Sequence, residues 1–142
     1  MFANIGLGAL MTIATMAVHA LCTAALIAFL RTIHVNHWAI RNLWTRVGVI
    51  SGLVVALLLV SVLEASLWAA IYVGLGTMRD FAEALYFSLV TFMTLGYGDV
   101  TLGDRWRLLA SLEAAAGIIT FGWTTALIVA AVHRMVARDP ES

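Results

Sequence analysis

The nine residues Thr91-Phe92-Met93-Thr94-Leu95-Gly96-Tyr97-Gly98-Asp99 constrain this chain more than any other stretch. Gly96 and Gly98 bracket a tyrosine, and glycine enters the φ > 0 region that other residues resist. A backbone that alternates in handedness turns successive carbonyl oxygens to one side. Several such strands around a shared axis make stacked oxygen rings able to replace the water shell of a bare cation. A lone Gly-x-Gly is a weak signal, and this one lacks the third glycine and the strand-turn-helix setting of a dinucleotide loop. Its weight comes from its surroundings, an amphipathic helix-length segment before it and long apolar runs on both sides. The competing reading is a glycine-rich turn between two membrane helices.

Apolar residues make up 63% of the 142 and charged residues 11%, a balance suited to a bilayer and not to a water-soluble globule. Formal net charge is zero and every basic residue is an arginine. No basic stripe interleaved with aromatics points to nucleic acid. Cys22, the single cysteine, lies in an apolar run and reads as a packing residue. Between Ile5 and Leu30 there is no charge, and the run exceeds the roughly 20 residues that cross a hydrocarbon core of about 30 Å. It is longer than a signal-peptide core of about 7–15 residues, so a first spanning helix is predicted. Val47 to Val73 is a second span and Arg105 to Val132 a third. Phe81 to Met93 is too short to cross and leads straight into the glycine strand, so it reads as a re-entrant helix opened by Asp80 or Thr77. Irregular backbone at membrane depth is tolerated only inside protein or along a water-filled path. That requirement predicts an oligomer. The fold class is thus an all-α integral membrane protein with three transmembrane helices, a re-entrant pore helix and a filter loop. Its parts are 1–46 (first helix and connecting segment), 47–135 (pore domain) and 136–142 (short tail).

Polar residues inside the spans need partners. His19 is read as hydrogen-bonded to a neighbouring helix in preference to a proton relay. Glu64 faces protein, sits near an interface or is protonated. Between Arg31 and Arg46 the chain carries His34 and His37 one helical turn apart, with Trp38 and Trp44. A headgroup-level helix explains that segment better than a metal site, for which no cysteine or carboxylate is at hand. Two helices joined by a re-entrant loop begin and end on one side. Arg31, Arg41, Arg46, Arg134 and Arg138 therefore gather together, and Asp80, Glu83, Asp99 and Asp104 outnumber Arg79, Arg105 and Arg107 opposite. The positive-inside rule makes the first side cytoplasmic, with the amino terminus outside a plasma or inner cell membrane.

The string Thr94-Leu95-Gly96-Tyr97-Gly98-Asp99 closely resembles the potassium-channel filter signature TVGYGD, with leucine in the usual valine place. Glu83 to Thr91 resembles a potassium-channel pore helix. Ala116 to Gly122 and Thr124-Thr125-Ala126 are similar to the inner helix of small two-helix bacterial potassium channels; the likeness covers about the last two-thirds of the chain. It implies a homotetramer in a lipid bilayer that conducts K+ through carbonyls of Thr94, Leu95, Gly96 and Tyr97, the Thr94 hydroxyl and the Gly98 bend. It places Tyr97 against Tyr86 and Phe87, Ile118, Phe121 and Thr125 along a cavity, and Gly117 at a hinge. Close helix packing is the equal rival for Gly117 and Gly122. No organic cofactor and no enzymatic activity are implied.

Departures from the pattern carry their own expectations. Leu95 lacks the β-branch of valine, which predicts a less stiff filter. Tyr86 stands where many relatives have tryptophan, and its hydroxyl is expected on Asp99. Val90 takes a place where one relative has a glutamate, and Glu113 either substitutes by bonding the pore helix or is an ordinary buried carboxyl bound to a nearby hydroxyl. No arginine ladder suggests voltage sensing. His133, near the cytoplasmic end of the last span, is a candidate pH-sensitive gate residue, weighed against headgroup contact. The rival functions are a weakly selective Na+/K+ channel, a pore subunit of a potassium-uptake system and, least supported, a membrane enzyme using Glu64 with Glu113. The first helix is assigned either to the outer surface of the pore or to a regulatory partner.

Overall fold

The computed structural model describes residues 2–32 and 42–136, which form four helices: α1 (Phe2–Thr32), α2 (Leu43–Gly74), α3 (Phe81–Phe92) and α4 (Arg107–Val136). No strand occurs among the described residues. His34, His37, Trp38, Arg41 and Arg138 lie outside them, as does most of the segment connecting α1 to α2. Three helices are long and apolar enough to cross a membrane, over Asn4–Leu30, Leu43–Gly74 and Arg107–His133. At about 1.5 Å per residue, α3 is only about 18 Å long and ends inside the protein.

Local sequence sets each boundary. Asn42 opens α2 by accepting a hydrogen bond from the Trp44 amide. Gly76, with φ +67°, lets the chain reverse after α2, and the Thr77 hydroxyl donates to the Tyr72 carbonyl at 2.7 Å. Thr77 therefore finishes α2. Asp80 starts α3, its side chain accepting from the Glu83 amide at 3.3 Å.

Between helices in lipid, close packing and hydrogen bonds replace the hydrophobic drive. Small residues do much of the packing here, with Ala65, Ala69, Ala84 and Ala116 fully buried around Trp68, Tyr72, Phe92 and Leu109. α3 packs against both α2 and α4, and α1 lies along α4 and α2. The buried face of α1 is Asn4, Gly8, Met11, Thr15, His19 and Thr23, spaced three or four residues apart. It is a narrow polar and small-residue stripe on a helix otherwise clothed in apolar side chains. Each member of the stripe that reaches across has a partner. Asn4 donates to the Arg105 carbonyl, Gly8 sits against Leu112 and Leu109, and Trp68 Nε1 donates to the Thr15 hydroxyl at 3.0 Å. His19 Nδ1 shares a hydrogen bond of 2.9 Å with Glu64 Oε1, both side chains fully buried. Of the three sequence options for Glu64, the structure realises the one facing protein.

Candidate functional site

The loop after α3 is built from the last carbonyls of that helix. The Met93 amide donates to Leu89 O and the Thr94 amide to Thr91 O, each at 2.9 Å. The Leu95 and Gly96 amides both reach back to Val90 O, at 2.9 and 3.3 Å. Four consecutive N–H groups are thereby turned toward the helix, leaving the loop's own carbonyls free for another task.

The backbone then alternates. Thr94 has φ 59°, Gly96 59° and Gly98 78°, whereas Leu95 and Tyr97 between them keep negative φ. Glycine takes this conformation at little steric cost, but for Thr94 the left-handed region costs roughly 1–2 kcal/mol. A β-branched residue held there is a strained position of the kind that gathers at functional sites. From Thr94 to Asp99 the loop is exposed in the single chain, with Leu95 55% and Tyr97 66% accessible. Tyr97 makes no ring contact among the described residues. Phe87, the second aromatic of α3, meets Tyr72 edge-on within the chain, with ring centroids 5.3 Å apart.

Two polar contacts brace the loop. At its far end from α3 the Tyr86 hydroxyl donates to Asp99 Oδ2 at 2.6 Å. That bond holds the Asp99 carboxyl below the usual carboxylate range and pushes the Tyr86 phenol up. Behind α3, Glu113 on α4 receives the Tyr72 hydroxyl at 2.6 Å and contacts the Ser88 hydroxyl, which also reaches the Ala65 carbonyl at 2.7 Å. Glu113 thus bonds α3, and it does so through a hydroxyl, so the contacts meet both readings of this residue. Its partners Tyr72 and Ser88 escaped the sequence, since no spacing rule links three side chains on three elements.

On α4 the expected cavity residues fall where they stay open in one chain. Ile118 is 63% exposed, Thr125 is exposed, and Phe121 lies 6.2 Å from Phe92 at the foot of α3. Gly117 is buried, and a Cβ there would come within 1.9 Å of the Phe92 carbonyl oxygen. The packing reading is thus realised at Gly117, whereas a Cβ on Gly122 would meet nothing within 4 Å. His133 is exposed near the end of α4. Glu64 and Glu113 have separate partners, Glu64 with His19 and Glu113 with Tyr72 and Ser88, so no carboxylate pair is formed. No cluster of three or more metal-ligating side chains occurs among the described residues.

Comparison with known proteins bears on this arrangement. Neither a curated protein nor a solved structure matches the chain. The family described as ion channel matches residues 55–134, more than half of the chain. The match begins within α2, takes in α3, the alternating loop and nearly all of α4, and leaves α1 outside. With its three spanning-length helices and a re-entrant helix feeding an exposed glycine loop, the chain belongs to the ion channel family.

Proposed function

We propose that the protein is a potassium-selective channel, assembled as a homotetramer, that passes dehydrated K+ down its gradient. The observation that carries this reading is the alternation of positive φ at Thr94, Gly96 and Gly98. It gives the loop the handedness that directs carbonyls of Thr94, Leu95, Gly96 and Tyr97 to one side, with the Thr94 hydroxyl at the inner end. Carbonyl oxygens on four such loops would stand in for the lost water of the ion, and repulsion between ions in file keeps binding from becoming a trap. The pore helix α3 aims its negative end toward the ion path, which offsets part of the cost of a cation at mid-membrane.

Assembly is supported by what a single chain leaves uncovered. A loop with free carbonyls and exposed Leu95 and Tyr97 cannot face lipid. Copies around an axis cover it, supply Tyr97 with a neighbour and bring the Ile118, Phe121 and Thr125 faces together around a cavity. The arginine balance favours an amino terminus outside and a carboxyl terminus in the cytoplasm, with Asp99 and Asp104 at the outer mouth drawing in cations. One substitution favours a second reading. Leu95, in the place of a β-branched residue, softens the filter, and a softer filter admits Na+ as well.

Reconstituted protein in liposomes separates these outcomes. K+-driven flux with Na+ at less than about a tenth of its permeability, a free-energy difference of about 1.4 kcal/mol or more, is expected. Comparable fluxes of the two ions favour the weakly selective channel, and no flux with monomeric protein overturns the proposal.

A further inference from the structure

We infer that Glu113 is a neutral carboxylic acid that donates a hydrogen bond to the pore helix. The inference comes from counting protons along one buried chain of oxygens. Tyr72 Oη touches Glu113 Oε2, Glu113 Oε1 touches Ser88 Oγ, and Ser88 Oγ touches Ala65 O. Three contacts need three hydrogens. A tyrosine and a serine hydroxyl carry one each, and the Ala65 carbonyl only accepts. If Glu113 were ionised, two protons would serve three contacts. Either Ser88 would face the Ala65 carbonyl at 2.7 Å lone pair to lone pair, or it would so face the carboxylate. With a proton on Glu113 every contact is satisfied in one direction, from Tyr72 to Glu113 to Ser88 to Ala65.

The surroundings agree. Glu113, Ser88 and Tyr72 are fully buried, and among the described residues no arginine or histidine contacts the carboxyl. From α2 the titratable group facing it is Tyr72, from α3 only the Ser88 hydroxyl reaches it, and from α1 nothing charged does. An unpaired carboxylate in such a place is costly, and a neutral acid bonded at both oxygens is not. Hydrogen bonds that all run one way also polarise and strengthen one another.

Glu113 is thereby a positioning residue. It ties Ser88, two residues before the Val90 carbonyl that holds the Leu95 and Gly96 amides, to both α2 and α4. Its consequence for ion selectivity rests on the potassium-channel reading, whereas the proton itself does not.

Infrared difference spectra of the reconstituted protein, wild type minus Glu113→Gln, test the proton directly at neutral pH. A protonated-carboxyl C=O band that is absent from the variant is expected, and carboxylate bands in its place overturn the inference. Selectivity supplies the functional readout. The glutamine amide can accept from Tyr72 and donate to Ser88, so Glu113→Gln should rescue the K+/Na+ permeability ratio that Glu113→Ala lowers by about tenfold. Equal losses in the two variants would also overturn it. A wild type with the carboxylic band but no K+ flux would sink the channel reading and leave the protonation standing.

Discussion

Two carboxyl groups, Glu113 and Glu64, are buried in the same bundle in opposite ways. Both oxygens of Glu113 are bonded, to α2 and α3, and the chain of contacts closes on a backbone carbonyl. Glu64 has one bonded oxygen. Its second oxygen and the Nε2 of its partner His19 have no hydrogen-bond partner among the described residues, although both are buried. The His19 ring rests edge-on against Trp123 of α4, 5.5 Å between centroids. The first region joins three elements with every polar atom spent, and the second joins α1 to the pore domain with capacity left over. A closed network fixes geometry, whereas an open one tolerates replacement.

The sharpest way to break this contrast uses two glycines, one just beyond Glu113 and one on the face of α1 that also carries His19. Gly117 lies one turn beyond Glu113, and an added methyl there collides with the Phe92 backbone carbonyl at 1.9 Å. Backbone cannot step aside as a side chain does. Gly117→Ala should therefore destabilise the assembly by about 3 kcal/mol and abolish selective flux. The counterpart Gly8→Ala meets mainly the far end of the Leu112 side chain, 2.3 Å from its Cδ1. A change of rotamer relieves that clash at a cost of about 1 kcal/mol. Thermal unfolding of both variants in detergent measures the difference, and equal losses would erase the contrast.

A smaller effect is expected at the open pair. His19→Leu alone strands Glu64 in an apolar setting and should cost about 2 kcal/mol. Adding Glu64→Leu should recover most of that loss, because a buried polar pair is often replaced by apolar side chains without penalty. The same unfolding measurement follows both steps. A double variant weaker than the single one would show that the pair is as tightly bound into the fold as Glu113.

The smallest expected effect lies at the exposed Tyr86–Asp99 contact, which behaves like neither buried group. The Tyr86 hydroxyl lowers the Asp99 pKa. A depressed carboxyl contributes stability above its unfolded pKa and loses it as pH falls through the folded value. Tyr86→Phe removes the hydroxyl and that contribution with it, so Asp99 should take up its proton at a less acidic pH than in the wild type. Flux against external pH reads the shift, and superimposable profiles would remove any role for this bond.

Much of the architecture was legible because membranes demand length and polarity in plain form. The three spans, the short α3 with its Asp80 cap and the alternating loop were all visible in runs, breaks and paired glycines. Depth alone does not give azimuth, which is why His19 and Glu64 were noticed separately and not joined. The i, i+4 line from Asn4 through Gly8, Thr15 and His19 to Thr23 carried that information, since a polar edge on a lipid-facing helix must turn inward. Tyr72 and Ser88 gave no such signal, and each looked like an ordinary pore-domain residue.

The contact between Gly117 and the Phe92 carbonyl has one more result. At that point the last helix is riveted to the floor under the loop, so a tilt beginning earlier would drag the loop along. Five residues on, a Cβ added at Gly122 would meet nothing within 4 Å, so no such rivet holds the helix there.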